Sequence, residues 1–389
     1  MFEYFPSNAG WTLSVACCLS MGGEISEVHE ACKPLIPLAE APLAVANEAW
    51  FQSWMSVAER VAAQGDELLA KGWEFSAGAR FYRAAQYGFI AERHAGWKDP
   101  RKLMAYRKAS TLFQKSVQLL GHRTERIEIP FEGATLAGYL RLPDGPGPFP
   151  TVIHYNGFDG IKELQYGFAG DEAVKRGIAV LFMDQEGTGE SARLHHTTKP
   201  VASEKCAGAF LDRLEQHPAV DRNRIGVIGC SNGGYDAPRA AIYEPRLKLC
   251  VSFGAFYDSE CLRAKFEDLM DHPEVPRRGL DFADQMTSVM GKADLREAWH
   301  DFQKRSLEGH LGGLKVPYLV VHGENDRLVP LAFAERCVAE AINSPRAELK
   351  VFSIAEGSTE HCGIDLVASH SQYIYDWVAE NFGGRVKAL

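Results

Sequence analysis

The chain has 389 residues, 46% hydrophobic and 24% charged, enough for one large domain and a smaller companion with a genuine core. Its 51 acidic residues outnumber 42 basic ones, for a formal net charge of -9. With no dense basic cluster to reverse that sign, nucleic acid is a poor candidate for the main ligand.

The opening MFEYFPSNAG carries an acid and no basic run, so the apolar WTLSVACCLSM behind it reads as a helix capped by Ser7 or Asn8, not as a secretory leader. It is also far too short to span a membrane. Up to about residue 123 the grammar stays helical. NEAWFQSWMSVAERVAAQGDELLAKG, WEFSAGARFYRAAQYGFIAERHAG and DPRKLMAYRKASTLFQKSVQLLG repeat apolar residues every three or four positions, and each stops at or near a glycine. Residues 1–123 are therefore expected to form a helical N-terminal domain, and 124–389 a second domain of different construction.

RIEIPFEG and ATLAGYLRLP alternate as strands with one exposed face do, and PDGPGPFP then turns the chain. Six short apolar runs follow: TVIHYN, IAVLFMD, RIGVIGCS, KLCVSFG, PYLVVHG and ELKVFS. Their brevity and β-branched content suit strands buried on both faces. Helical stretches such as GFAGDEAVKRG, SEKCAGAFLDRLEQH and LAFAERCVAEAINS separate them, which predicts an α/β fold, a doubly wound and mostly parallel sheet. Residues 255–315 break the rhythm and predict a helical insertion over the sheet edge.

Within this second region Gly229-Cys230-Ser231-Asn232-Gly233 fits G-x-S-x-G directly between the strand RIGVIG and the helical YDAPRAA. A nucleophile on a sharp strand-to-helix corner needs small neighbours, and the following helix aims its N-terminal amides at the reacting centre. A serine is weak alone and needs a base with an orienting carboxylate, which in this arrangement follow in the order acid, then histidine. Asp326, in the polar turn of PYLVVHGENDRLVP, is the expected acid ahead of Glu324. His361, in the loop of IAEGSTEHCGID beyond the last strand, is the expected base ahead of His370. His154, His195, His196 and His322 precede the acid or sit in strands and read as structural or pocket-lining. The oxyanion of an acyl-transfer intermediate needs two fixed N–H donors: Asn232, after the nucleophile, and Phe158 in the glycine-bearing loop NGFDGIKELQYG are expected to supply them.

HYNGFDGIKELQYG, RGIAVLFMDQEGTGES, RIGVIGCSNGGYDAPRAA, VVHGENDRLVP and EGSTEHCG together resemble the α/β-hydrolase superfamily. More narrowly the chain resembles its esterase branch with a helical domain ahead of the hydrolase core, which includes 2,6-dihydroxypseudooxynicotine hydrolase and fungal pigment-pathway polyketide-shortening hydrolases. The resemblance covers residues 124–385 well and the helical part loosely. It implies a Ser-Asp-His triad at Ser231, Asp326 and His361, substrate held between helical domain and core, and, in some members, cleavage of a C–C bond beside a ketone. Cys230 and Asn232 depart from the residues usual beside the serine, which bears on the substrate and not on the nucleophile.

Candidate substrate contacts follow from position. Tyr155, Asp159, Lys162 and Glu163 stand near the oxyanion loop, and Tyr257, Asp258 and Glu260 follow the strand ending SFGAF, where sites gather in open sheets. In the helical domain Trp73, Arg80, Tyr82, Arg83 and Tyr87 share one amphipathic stretch, with Arg80 and Arg83 the candidates for contact. GTGES after Asp184 lacks the lysine and spacing of a phosphate loop. No zinc spacing appears among nine cysteines, whose odd number and apolar settings suggest free thiols in a reducing, cytoplasmic setting. The expectation is a serine hydrolase of small-molecule ester, lactone or C–C substrates, polyketide-like or aromatic, needing no cofactor or metal. Neither nucleic acid nor membrane is expected as a partner, and a homodimer is open. A non-hydrolytic tailoring enzyme (acyl transfer, cyclisation or C–C cleavage) and a silent ligand receptor on the same fold are the alternatives.

Overall fold

The computed structural model describes residues 2–275 and 277–383, so positions 384–389 of the expected second domain lie outside the described residues. Eight strands form one sheet: β1 (Thr124–Phe131), β2 (Ala134–Arg141), β3 (Phe149–Tyr155), β4 (Ala179–Met183), β5 (Val220–Cys230), β6 (Cys250–Phe253), β7 (Tyr318–Gly323) and β8 (Ala347–Phe352), in the order β1-β2-β4-β3-β5-β6-β7-β8. β2 meets β4 antiparallel, while β4, β3, β5, β6, β7 and β8 run parallel to their neighbours. Crossing from β4 back to β3 and out again to β5 reverses the strand order beside β3, and in open α/β sheets such a point opens a crevice at the carboxyl ends of the strands.

Fourteen α-helices accompany the sheet among the described residues: α1 (Ala9–Ser20), α2 (Ile25–Cys32), α3 (Leu43–Ala70), α4 (Glu74–Arg93), α5 (Pro100–Leu119), α6 (Lys162–Lys175), α7 (Gly189–His195), α8 (Lys205–Leu214), α9 (Gly233–Tyr243), α10 (Glu260–Asp271), α11 (Phe282–Met290), α12 (Leu295–Phe302), α13 (Leu331–Glu340) and α14 (Val367–Asn381). The chain divides into two compact units, residues up to Thr124 with Asp271–Ser288, and Glu125–Met270 with Val289 onward. Sequence reading placed 271–288 in the second domain. It joins the first because its polar side chains are used there: Asp284 Oδ2 accepts the Trp97 amide at 2.7 Å, Gln285 Oε1 accepts Trp97 Nε1 at 2.8 Å, and Arg278 pairs with Glu40. No periodic pattern announces such contacts.

The first unit is helical around an aromatic core. Trp50 lies 5.0 Å from Trp11 and 5.3 Å from Trp54, ring centre to ring centre, and its Nε1 donates to the Ile90 carbonyl. Such buried rings prefer tilted packing and a partner for the indole N–H. Asn8, not Ser7, caps α1, its Oδ1 accepting the Trp11 amide at 3.1 Å.

In the second unit β4, β6 and β7 are buried along their whole length, as their apolar runs predict. Two strands differ from expectation. β2, read as exposed on one face, is buried from Leu136 onward, because it lies inside the sheet between β1 and β4 with α6 and α7 against it. β8, read as buried on both faces, is only half-buried because it is the edge strand.

Candidate active site

Ser231 stands where β5 ends and α9 begins, with φ +52°, a left-handed conformation that costs a non-glycine residue about 1–3 kcal/mol. The corner is tight enough that a Cβ on Gly229 would sit 1.9 Å from the Gly233 carbonyl oxygen, and one on Gly233 2.7 Å from the Asn156 oxygen. Those approaches explain the glycines: they let the strand, the helix and the loop after β3 converge on one serine.

His361 Nε2 lies 2.8 Å from Ser231 Oγ, and His361 Nδ1 lies 2.7 Å from Asp326 Oδ2. The other carboxylate oxygen of Asp326 accepts the Leu328 and Val329 amides, both at 2.9 Å. Burial works to raise the Asp326 pKa, but the adjoining His361 ring, its hydrogen bond and the Val329 amide outweigh it and hold the group below its ordinary value. The competing acid, Glu324, accepts the Ile354 amide at 2.9 Å and serves the loop after β8. The competing base, His370, is buried in α14 between Phe253 and Phe352, and burial lowers its pKa to about 3.

The loop after β3 lies against the serine, since a Cβ on Gly157 would stand 3.3 Å from Ser231 Cβ. Among the described residues no hydrogen bond runs from the Phe158 or Asn232 backbone N–H to a protein acceptor. Cys230 braces this loop: Gln165 Nε2 donates to its sulfur at 3.2 Å and the Gly157 amide points at it, while burial pushes the thiol up to about 12. It is a packed, protonated thiol.

This geometry can be set beside known proteins. The model of the FrsA-like esterase family matches residues 41–355. The chain belongs to that family. It is 30% identical over 333 residues to a 2,6-dihydropseudooxynicotine hydrolase of Paenarthrobacter nicotinovorans, covering 85% of this chain and 83% of that protein. It is likewise 30% identical over 338 residues to the alpha/beta hydrolase pydG of an Acremonium species, covering 80% and 76%. The crystal structure of 2,6-dihydroxy-pseudo-oxynicotine hydrolase superposes with a TM-score of 0.76 at 27% identity over 96% of this chain and 98% of that one. The protein is an α/β-hydrolase, and no helix among its described residues is long and apolar enough to cross a membrane.

The remaining candidate contacts of this FrsA-like hydrolase fall into separate environments. Tyr155 is fully buried, its hydroxyl donating to the Ser203 carbonyl at 3.1 Å. Lys162 and Glu163 are also fully buried. Lys162 Nζ meets Asp184 at 2.9 Å, Glu190 at 2.8 Å and Glu163 at 3.0 Å, and burial raises the Glu163 pKa. Tyr257 hydrogen-bonds Glu340 at 2.8 Å and Arg336 at 2.9 Å, against α13. Asp258 accepts the Glu260 amide at 2.8 Å, and burial raises its pKa. Asp159, half-buried and next to Phe158 in the loop, acts electrostatically on Cys230 and Lys265. In the helical unit Arg83 is clamped by both oxygens of Glu27, at 2.8 and 3.2 Å, with the Arg80 charge also acting on Glu27.

Several residues that hold the site carry no motif of their own. Gln185 Oε1 accepts the Asn156 amide at 3.1 Å and its Nε2 donates to the Asn156 carbonyl at 2.8 Å, gripping the loop backbone on both sides. Asp184 accepts Asn156 Nδ2 and the Lys162 amide, each at 2.8 Å. Glu360 takes Asn325 Nδ2 at 2.8 Å and Arg327 Nε at 3.1 Å, tying the histidine's loop to the acid's. The signal for the first two was the turn DQEGTGES at the carboxyl end of β4, a place where sites form.

Proposed function

We propose that the protein is a serine hydrolase in which Ser231 is the nucleophile, His361 the general base and acid, and Asp326 the group that orients His361. The observation that carries this reading is the continuous hydrogen-bonded line from Asp326 through His361 to a serine held at positive φ on the strand-to-helix corner. As Ser231 Oγ bonds to a substrate carbonyl carbon, its proton passes to His361 Nε2. The carbonyl oxygen, now an oxyanion, is met by the Phe158 and Asn232 amides. Collapse expels the leaving group, which takes the proton from His361. Water then attacks the acyl-enzyme with His361 receiving its proton, and as the acid departs His361 returns that proton to Ser231 Oγ.

The substrate class is a carbonyl compound, an ester, a lactone or a ketone cleaved at its C–C bond, on an aromatic or polyketide-like metabolite. The names of the relatives support that class, and nine cysteines without a disulfide suit a reducing cytoplasm. The test is hydrolysis of p-nitrophenyl acetate and butyrate, together with labelling by a fluorophosphonate. Wild type is expected to turn over and to label, and Ser231→Ala to lose at least a thousandfold in kcat and all labelling. Labelling or turnover that persists in Ser231→Ala would overturn the assignment.

A further inference from the structure

Beside the nucleophile, inside the second unit, polar groups converge without satisfying one another. Lys199 and Arg305 are 3% and 0% exposed, and Glu186, Ser203 and Asn232 are buried as well. Among the described residues Lys199 Nζ, Glu186 Oε2, Ser203 Oγ, Asn232 Nδ2 and Arg305 Nε have no hydrogen-bond partner. They share one neighbourhood: Lys199 feels the charges of Asp236, Arg305 and Glu186, and Cys206 bonds both Glu186 and the Ser203 carbonyl. Arg305 binds Asp236 and the Pro200 carbonyl and reaches Asn232 Oδ1 at 3.3 Å, which fixes the Asn232 amide with its nitrogen as the open end. The Asn232 side chain stands at the N-terminus of α9 but caps none of its amides.

A buried polar atom without a partner costs roughly 1–3 kcal/mol, and a buried unpaired charge more, so five together are retained against stability. Four of the five are donors. What they lack in common is an oxygen-rich acceptor, next to the residue whose neighbour attacks the carbonyl. We propose that this cluster is a subsite for an anionic oxygen of the substrate, either a carboxylate or the enolate that leaves when a C–C bond beside a ketone breaks. The proposal rests on Ser231 being the nucleophile, because that places the reacting carbonyl at Asn232.

Lys199 is the cation free to meet the oxygen, Arg305 being engaged by Asp236. Glu186, raised by burial to about 7, is available as a neutral hydroxyl donor or as a carboxylate that compensates Lys199. Burial also lowers Lys199 to about 8, so at neutral pH its ammonium predominates while remaining able to give up a proton.

The test uses full-length Ser231→Ala, which binds without turnover, titrated calorimetrically with monoethyl succinate, pentane-2,4-dione and uncharged diethyl succinate. Lys199→Met in that background is expected to weaken monoethyl succinate, the enolate of the dione, or both, at least tenfold, with diethyl succinate changed less than twofold. A response confined to the first probe identifies a carboxylate carried by the substrate, and one confined to the second identifies the leaving enolate. Ser203→Ala, which removes no charge, is expected to weaken the same probe about threefold. Because burial outweighs the attraction of Asp236 and Glu186 at the Lys199 ammonium, the Tm of Lys199→Met is expected to hold or rise. Equal weakening of all three probes, binding of neither anionic probe, or a fall in Tm of several degrees would overturn the subsite. A failed serine mechanism would announce itself separately, as ester hydrolysis undiminished by Ser231→Ala.

Discussion

Two buried lysines in the second unit carry opposite instructions. Lys162 meets three carboxylates, Asp184, Glu190 and Glu163, within 3.0 Å, and one of them, Asp184, in turn accepts the backbone amides of Lys162 and Glu190. Lys199, equally buried, meets no hydrogen-bond acceptor among the described residues. The first is a cation whose surroundings were completed by folding, and replacing it leaves acids stranded. The second is a cation whose surroundings fold around a missing group, and replacing it removes a cost. Burial alone therefore does not separate structural from functional charge; whether the charge is answered does.

The sharpest break of that comparison is Lys162→Met. It removes the cation shared by three buried carboxylates, Glu190 keeping Arg126, and is expected to destabilise the second unit by about 3–5 kcal/mol, measured by urea unfolding monitored in the sheet. Lys199→Met, as argued above, should cost nothing. If both substitutions destabilise alike, the distinction between answered and unanswered lysines fails.

The acids beside the two lysines should diverge with pH. Burial alone would raise Glu190, but Lys162 and Arg126 outweigh it and hold the acid at about 2, below the ordinary 4.5. Its stabilising contribution is present above pH 4.5 and is lost as pH falls toward 2. Glu186 runs the other way. Raised from 4.5 to about 7, it favours the fold while protonated, and that advantage drains away as pH climbs from 4.5 through 7. At roughly 1.4 kcal/mol per unit, Glu186→Gln should gain up to about 3 kcal/mol over wild type by pH 8 and nothing below pH 4.5. Tm profiles of the two proteins between pH 4 and 8 read this directly; curves that stay parallel would mean Glu186 titrates normally.

Why one cluster was visible in the sequence and the other was not has a physical cause. Ser231, Asp326 and His361 each sit at a strand's carboxyl end, so the run of apolar strands places them before any contact is known, and the glycines around Ser231 record how closely backbones approach it. Lys162 was singled out for its nearness to the oxyanion loop, but its partners Asp184 and Glu190 lie beyond the next strand, and only the pairing of β3 with β4 delivers them. Lys199 and Ser203 lie in an irregular stretch with no period, and Arg305 follows α12 at the end of an insertion. Their meeting is made by tertiary packing, which a local pattern does not encode. The same limit hid the return of Asp271–Ser288 to the helical unit, where two hydrogen bonds to Trp97 bind it.

The finest test separates Asn232 from Lys199 within the cluster. Arg305 keeps Asp236 and the Pro200 carbonyl when Asn232→Ala removes a long contact, so stability should fall by no more than about 1 kcal/mol. The backbone N–H of residue 232 survives the change, so kcat on p-nitrophenyl butyrate should stay within about threefold of wild type, whereas loss of an oxyanion donor costs about a hundredfold or more. Binding of the anionic probe in the Ser231→Ala background should weaken about threefold, less than for Lys199→Met, because a neutral amide gives up less than an ammonium. A hundredfold loss of kcat on the uncharged ester would instead place the Asn232 side chain at the oxyanion itself. The cluster and the oxyanion site would then be one device, and the contrast between the two lysines would extend to the reacting carbonyl.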